Sequence, residues 1–264
     1  MYKKIVIQDV IKAVTEVSDF ITREAQAFDA NKVMIKELNS LVSYVDQQAE
    51  LMLIEKLTPL VPNAGFLAEE GQGIQNAEGY NWIIDPLDGT TNFVHGVPVF
   101  AISVGLAHNK DLILGVVYEV CRKECFWAIS GQGAFLWDKP IKTSRNNTLS
   151  NALLATGFPY QKFEHEGAFW NTFSELMKNC RGLRRLGSAA VDLAYTACGR
   201  FDGFFEYRLN AWDVAAGALL VKEAGGLVTD YTGKENYLFG GEILAACNPD
   251  IHKAMLNSIQ KYYL

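Results

Sequence analysis

Four short apolar runs, 100–108, 112–120, 124–130 and 134–137, follow one another with little more than turn chemistry between them. Asn109-Lys110-Asp111 and Gly131-Gln132-Gly133 supply the reversals, so the segment reads as an antiparallel meander. Such a sheet has two faces to cover, and the flanking sequence offers the cover. Upstream, Val10, Val14, Val17, Ile21 and Ala25 recur at helical spacing and predict an amphipathic helix over residues 5–28. A second helix carries Val45, Ala49, Leu53 and Leu57 and is ended by Pro59 and Pro62. Two strand-like runs, Gly65-Phe-Leu-Ala-Glu-Glu70 and Asn81-Trp-Ile-Ile-Asp85, lead into the meander across a loop containing Gly71, Gly73 and Gly79.

Beyond Leu153 strands and helices alternate. The pattern predicts strands at 153–158, 183–187 and 202–209, and helices over 166–179, 188–199 and 213–224, then a hairpin and a closing helix. Helices, then strands, then alternation describe a layered α/β sandwich. No linker, charge block or repeat marks a boundary, so residues 1–264 are read as one functional unit, with 1–150 and 151–264 as candidate lobes.

Charge narrows the function classes. A net charge of −6 argues against nonspecific nucleic-acid binding, which relies on Lys and Arg neutralising phosphates. An anionic substrate would need positive charge from elsewhere, and bound cations are the obvious source. Five unpaired-looking cysteines without a Cys-x-x-Cys, and only four scattered histidines, argue against zinc and for reduced thiols in a cytoplasmic protein. No stretch is long and apolar enough to span a bilayer.

The segment 81–93 carries the most chemistry. An apolar strand ends in Asp85-Pro-Leu-Asp88-Gly89-Thr90-Thr91, placing two carboxylates where α/β proteins usually bind ligands. Pro86 stiffens the expected turn, Gly89 lets the backbone approach a ligand, and the amides of 89–91 open a helix suited to phosphate. A bare Asx turn with a helix cap would read the same way. Glu69-Glu70 closes another strand-like run, either as a solvated loop or as like charges gathered round a cation. Asp213 heads an Ala/Gly-rich apolar helix that ends at Gly225-Gly226, either as a plain N-cap or as a ligand delivered by a buried rod.

Asp-Pro-Leu-Asp-Gly-Thr-Thr-Asn-Phe at 85–93 and Trp-Asp-Val-Ala-Ala-Gly-Ala-Leu-Leu-Val-Lys-Glu-Ala-Gly-Gly at 212–226 resemble the two signatures of the inositol monophosphatase family, and the likeness covers nearly the whole chain. The resemblance implies a layered αβαβα sandwich, a homodimer, and a Mg²⁺-dependent, lithium-sensitive phosphomonoesterase acting on a small soluble phosphate ester, inositol monophosphate first among them. It further implies that Glu69, Asp85, the Leu87 carbonyl, Asp88 and Asp213 hold metal, and that Glu69 and Thr90 activate water. Asp88, Gly89, Thr90, Gly187, Ser188, Ala189, Glu206 and Asp213 would contact the substrate. Family members often carry an acid where this chain has Ser40, in the stretch 40–46 that retains Asp46.

Three alternatives stand beside this one. NADP or fructose 1,6-bisphosphate could be the substrate on the same scaffold. Some bacterial relatives act through contacts with the transcription machinery, whether or not they hydrolyse phosphate. A phosphatase with an aspartyl nucleophile needs Asp-x-Asp-Gly-Thr, and this motif has one residue too many. Arg181, Arg184 and Arg185 form the notable basic cluster, read either as a solvated strand edge or as a second anion contact. Nucleotide-loop fingerprints are absent.

Overall fold

The computed structural model describes residues 2–27, 33–37, 40–158 and 163–264. The first half runs α1 (Tyr2–Gln26), β1 (Val33–Glu37), β2 (Ser40–Ser43), α2 (Tyr44–Leu57), β3 (Gly65–Ala68), β4 (Tyr80–Asp88), α3 (Thr90–Val94), β5 (Ala101–His108), β6 (Asp111–Glu119), β7 (Glu124–Ile129), β8 (Ala134–Leu136) and β9 (Lys139–Ile141). The second half runs β10 (Leu153–Thr156), α4 (Glu166–Asn179), β11 (Gly182–Arg184), α5 (Ala189–Ala197), β12 (Gly203–Tyr207), α6 (Ala211–Glu223), β13 (Leu227–Thr229), β14 (Glu242–Ala246) and α7 (Pro249–Tyr263).

Strands β3 to β9 form a seven-stranded sheet in sequence order, parallel at β3–β4 and antiparallel through the predicted meander and on into β9. A five-stranded sheet has the order β11-β10-β12-β14-β13, with β10 parallel to both β11 and β12. Side-chain alternation sorts the layers. On β4, Trp82 and Ile84 point into a core built with α1 and α2, whereas Ile83 points into the core around α5 and α6. On the smaller sheet, Ala155, Phe204 and Ala245 face α5 and α6, while Leu154, Phe205 and Leu244 face α4 and α7. The layers are therefore α1/α2, large sheet, α5/α6, small sheet, α4/α7, the expected αβαβα sandwich.

Several boundaries differ from the sequence reading. The first helix ends at Gln26, and residue 28 of its predicted span lies outside the described residues. The strand predicted at 183–187 leaves the sheet after Arg184, because Gly187 turns the chain at φ +90° into α5. The helix predicted from Asp213 starts at Ala211. The stretch that departs from the family pattern at Ser40 forms β2, and its side chains lie outside the described residues.

The small residues of α6 have a steric reason. A Cβ on Gly115 of β6 would lie 2.8 Å from Ala216 Cα and 2.9 Å from its carbonyl oxygen, and one on Gly217 would lie 2.5 Å from Leu193 Cβ of α5. The helix thus lies directly on the large sheet and against α5, and this close approach fixes where its first turn points. Gly115→Ala is expected to destabilise the protein by about 1–3 kcal/mol, since backbone rather than a flexible side chain must move. Urea denaturation measures it; an unchanged midpoint would mean that α6 is free to shift.

Candidate active site

Strand β4 is irregular where it delivers its acids. Asp85 pairs opposite Ser103 and Asp88 opposite Ala101, so β4 takes three steps where β5 takes two. The expected stiffened turn is instead a β-bulge at Pro86-Leu87 inside a continuing strand. The bulge matters because residues three apart on a regular strand point to opposite faces. Asp85 is buried, and its Oδ1 accepts the Leu87 amide at 2.9 Å. Asp88 Oδ2 accepts from Ser188 Oγ at 2.7 Å and from the Ala190 amide at 2.6 Å, tying the end of β4 to the start of α5.

Gly89 follows in the left-handed region at φ +99° and caps the short helix α3. The Thr90 hydroxyl lies 2.8 Å from Asp46 Oδ1 and 3.1 Å from the Leu87 carbonyl oxygen. Both are acceptors, so the single hydroxyl proton is directed at the protein and the oxygen lone pairs remain to accept from a water. Glu69 lies in the turn after β3. That turn is anchored by Glu50, fully buried in α2, which accepts the Glu70 amide at 2.7 Å and the Gln72 amide at 2.8 Å. Asp213 is the third residue of α6 rather than its cap. Asn210 is the cap, and its amide donates to Asp213 Oδ2 at 2.6 Å.

These acids share one field. Burial pushes the Asp85 carboxyl well above its usual range, and the charges of Glu69, Asp88 and Asp213 push it further. Burial, then Asp88 and Glu69, raise Asp213 in the same way. Asp88 is pushed up to about 6 by burial, against the opposing pull of Ser188, Ala190 and Arg185. Among the described residues, no three His, Cys, Asp or Glu side chains are drawn together closely enough to form a metal cage by themselves. Asp85, Asp88 and Asp213 are instead each held by a protein donor. The donor set is all oxygen and acidic, which fits a hard divalent cation and not zinc.

Asp88, Gly89, Thr90 and Asp213 line a cavity of about 190 Å³. Gly157, Arg185, Gly187, Ser188, Ala189, Asp192, Glu206 and Leu209 line the same cavity. Glu206 stands on β12, between β10 and β14, so it is no sheet-edge surface charge. Burial pushes it up to about 8, with Arg185 pulling it down. Gly157 makes room for it, since a Cβ there would lie 2.0 Å from a carboxylate oxygen. The Ser188 hydroxyl is taken up by the protein, donating to Asp88 and accepting from the Val191 amide. The three arginines do not form one cluster. Arg185 lines the cavity, its guanidinium 5.1 Å from the centre of the Phe158 ring, whereas Arg181 and Arg184 are exposed. Asp192 was overlooked in the sequence although it, too, is a lone acid in an apolar helix.

The model of the inositol monophosphatase family matches residues 4–263. The chain belongs to the inositol monophosphatase family. It is 41% identical over 257 residues to the Nus factor SuhB of Pseudomonas aeruginosa, covering 96% of this chain and 94% of the relative. It is 39% identical over 262 residues to the inositol-1-monophosphatase of Rhizobium meliloti, covering 99% and 98%. Among solved structures, the extragenic suppressor protein suhB of Bartonella henselae superposes with a TM-score of 0.91 at 36% identity, covering 97% of this chain and 98% of that one. Inositol monophosphatase relatives thus carry both an enzyme's name and a Nus factor's.

Proposed function

We propose that this protein is a Mg²⁺-dependent phosphatase that hydrolyses a small phosphate monoester, inositol monophosphate first among the candidates. One observation carries the reading. Among the described residues, the cavity is lined by four acids, Asp88, Asp192, Glu206 and Asp213, and by one base, Arg185. Such walls repel a phosphate dianion unless cations enter with it. Family membership supplies the phosphate, and the oxygen-only donor set supplies the preference for Mg²⁺.

In this reading Glu69, Asp85, the Leu87 carbonyl, Asp88 and Asp213 hold the metal. Mg²⁺ bound there would supply positive charge to the phosphoryl oxygens and the departing ester oxygen, help that matters because uncatalysed hydrolysis is among the slowest known, with enzymatic accelerations up to ~10²¹-fold. The remaining work falls to the chain itself. The amides of Gly89 and Thr90 receive the phosphate. Thr90, its proton directed at Asp46 and the Leu87 carbonyl, accepts from the attacking water, and Glu69 takes a proton from it. The water oxygen bonds to phosphorus as the ester bond breaks, and the leaving oxygen takes a proton from solvent to depart as the alcohol. Gly187, Ser188 and Ala189 line the substrate's cavity, and Glu206 accepts from a substrate hydroxyl. Lithium inhibition and a homodimer belong with this reading.

Phosphate release from inositol 1-phosphate, fructose 1,6-bisphosphate, NADP and 3′-phosphoadenosine 5′-phosphate, with Mg²⁺ and after chelation, tests it. Metal-dependent turnover led by the inositol ester is expected. Silence on all four from folded, Mg²⁺-supplied protein would withdraw the phosphatase reading. Among the described residues only Arg185 at the cavity offers the NADP and bisphosphate alternatives a base for their additional phosphates.

The Nus factor name of the 41%-identical relative favours a second reading, a binding partner of the transcription machinery. The acidic charge argues only against charge-driven, nonspecific nucleic-acid binding; a contact made through protein surfaces is compatible with it. Copurification of transcription complexes with the wild type and with Asp88→Asn separates the two roles. Equal recovery with both would support a role independent of turnover, and none with either would remove it.

A further inference from the structure

Asp192 is the acid that the proposed chemistry leaves unused. It sits in the first turn of α5, is only 1% exposed, and lies on the wall of the cavity. Its Oδ1 is buried and has no hydrogen-bond partner among the described residues. The surrounding helix is apolar, with Ala190, Val191, Leu193 and Ala194 all fully buried. A buried carboxylate oxygen without a donor destabilises the fold, and an apolar or neutral residue would pack there at less cost. Nothing in the local structure requires an acid at this position. The missing donor therefore belongs to whatever occupies the cavity.

The neighbours define that donor. Glu206 lines the same cavity, and burial, then the charges of Glu206 and Asp88, act against ionisation of Asp192; Arg185 acts the other way. An anionic group placed there would meet two carboxylates against one guanidinium. A flat apolar group would leave the buried oxygen unsatisfied. A hydroxyl supplies a donor without adding charge, and it can accept in turn from Arg185. Resting on the phosphatase reading above, we infer that Asp192 is a specificity-determining residue that accepts a hydrogen bond from a hydroxyl of the leaving group.

The test compares wild type with Asp192→Asn and Asp192→Leu on three substrates: inositol 1-phosphate, phenyl phosphate, which has no hydroxyl, and phosphoethanolamine, which presents an ammonium. Turnover of phenyl phosphate by the wild type tests the phosphatase reading alone, so its failure is told apart from failure of the present inference. For Asp192→Leu, kcat/KM on inositol 1-phosphate is expected to fall by ~10–100-fold, the scale of one hydrogen bond to a charged group, with phenyl phosphate unchanged. Asp192→Asn keeps the shape and one acceptor, and is expected to lose less. Both variants are expected to melt at or above the wild-type temperature, because the burial penalty is removed. An equal loss on inositol 1-phosphate and phenyl phosphate, or a lowered melting temperature, would make Asp192 a structural residue and overturn the inference. No loss on either substrate would overturn it as well. Preference of the wild type for phosphoethanolamine over inositol 1-phosphate would replace the hydroxyl with an ammonium and overturn the inference.

Discussion

Asp88→Asn is expected to lower kcat by at least about a thousandfold, the upper scale for removing one preorganised electrostatic group, while leaving the protein folded. The geometry explains why the two effects separate. Only Oδ2 of Asp88 accepts from Ser188 and Ala190, and a carboxamide oxygen can accept the same two bonds. What asparagine cannot supply is the negative charge that would meet a cation. The charge is already a burden on the metal-free fold, since burial pushes the Asp88 carboxyl up to about 6. Melting temperature should therefore stay level or rise as turnover collapses. Phosphate release and thermal denaturation on the same preparation check both halves. Near-normal turnover would remove the site assignment, and an unfolded variant would show that asparagine does not keep the tie to α5.

Stripping the metal is expected to abolish turnover and to reverse the usual effect of pH on stability. Asp85, Asp88, Asp213, Asp192 and Glu206 all have carboxyls raised in the folded state. A group whose folded pKa exceeds its unfolded one binds more protons when folded, so stability is greatest below the unfolded pKa and declines as pH rises toward the folded pKa. The decline starts near the ordinary carboxylate value of about 4. It passes about 6 for Asp88 and extends to about 8 for Glu206. Chelated protein should therefore melt higher at pH 5 than at pH 8, and Mg²⁺ should raise the melting temperature more at pH 8, where the acids are ionised and bind it. Chelated protein that melts lower at pH 5 would show that these carboxyls are not raised together.

How much of this was legible beforehand depends on distance along the chain. The helix over 166–179 matches α4 residue for residue, and the meander needed only period and turn chemistry, both local. The β1–β2 hairpin escaped notice because its strands are five and four residues long, too short for alternation to register. Strand β9 holds Pro140 at the sheet edge, a residue that reads as a break rather than a strand. In the site, Asp85, Asp88 and Asp213 stand in dense local motifs. The Asp46–Thr90 bond spans 44 residues and the Ser188–Asp88 bond 100, and neither leaves a local trace. Arg185 and Arg184 are adjacent in sequence, yet only the strand's end and the Gly187 turn separate cavity from surface. Asp192 could have been noticed by the reasoning that singled out Asp213.

The bonds from Asp88 to Ser188 and Ala190 join the end of a strand in the first half of the chain to the start of a helix in the second. Glu69, Asp85 and Thr90 lie on one side of that join, and Asp192, Glu206 and Asp213 on the other. A polypeptide cut near residue 150 would therefore yield two pieces, each holding half of a reaction centre and neither able to hide its half of the middle core. Catalysis by such a protein becomes a report on reassembly: coexpressed pieces would regain turnover only as fast as they find each other. The same partition means that exchanging one half for a relative's would exchange half of the substrate's surroundings with it.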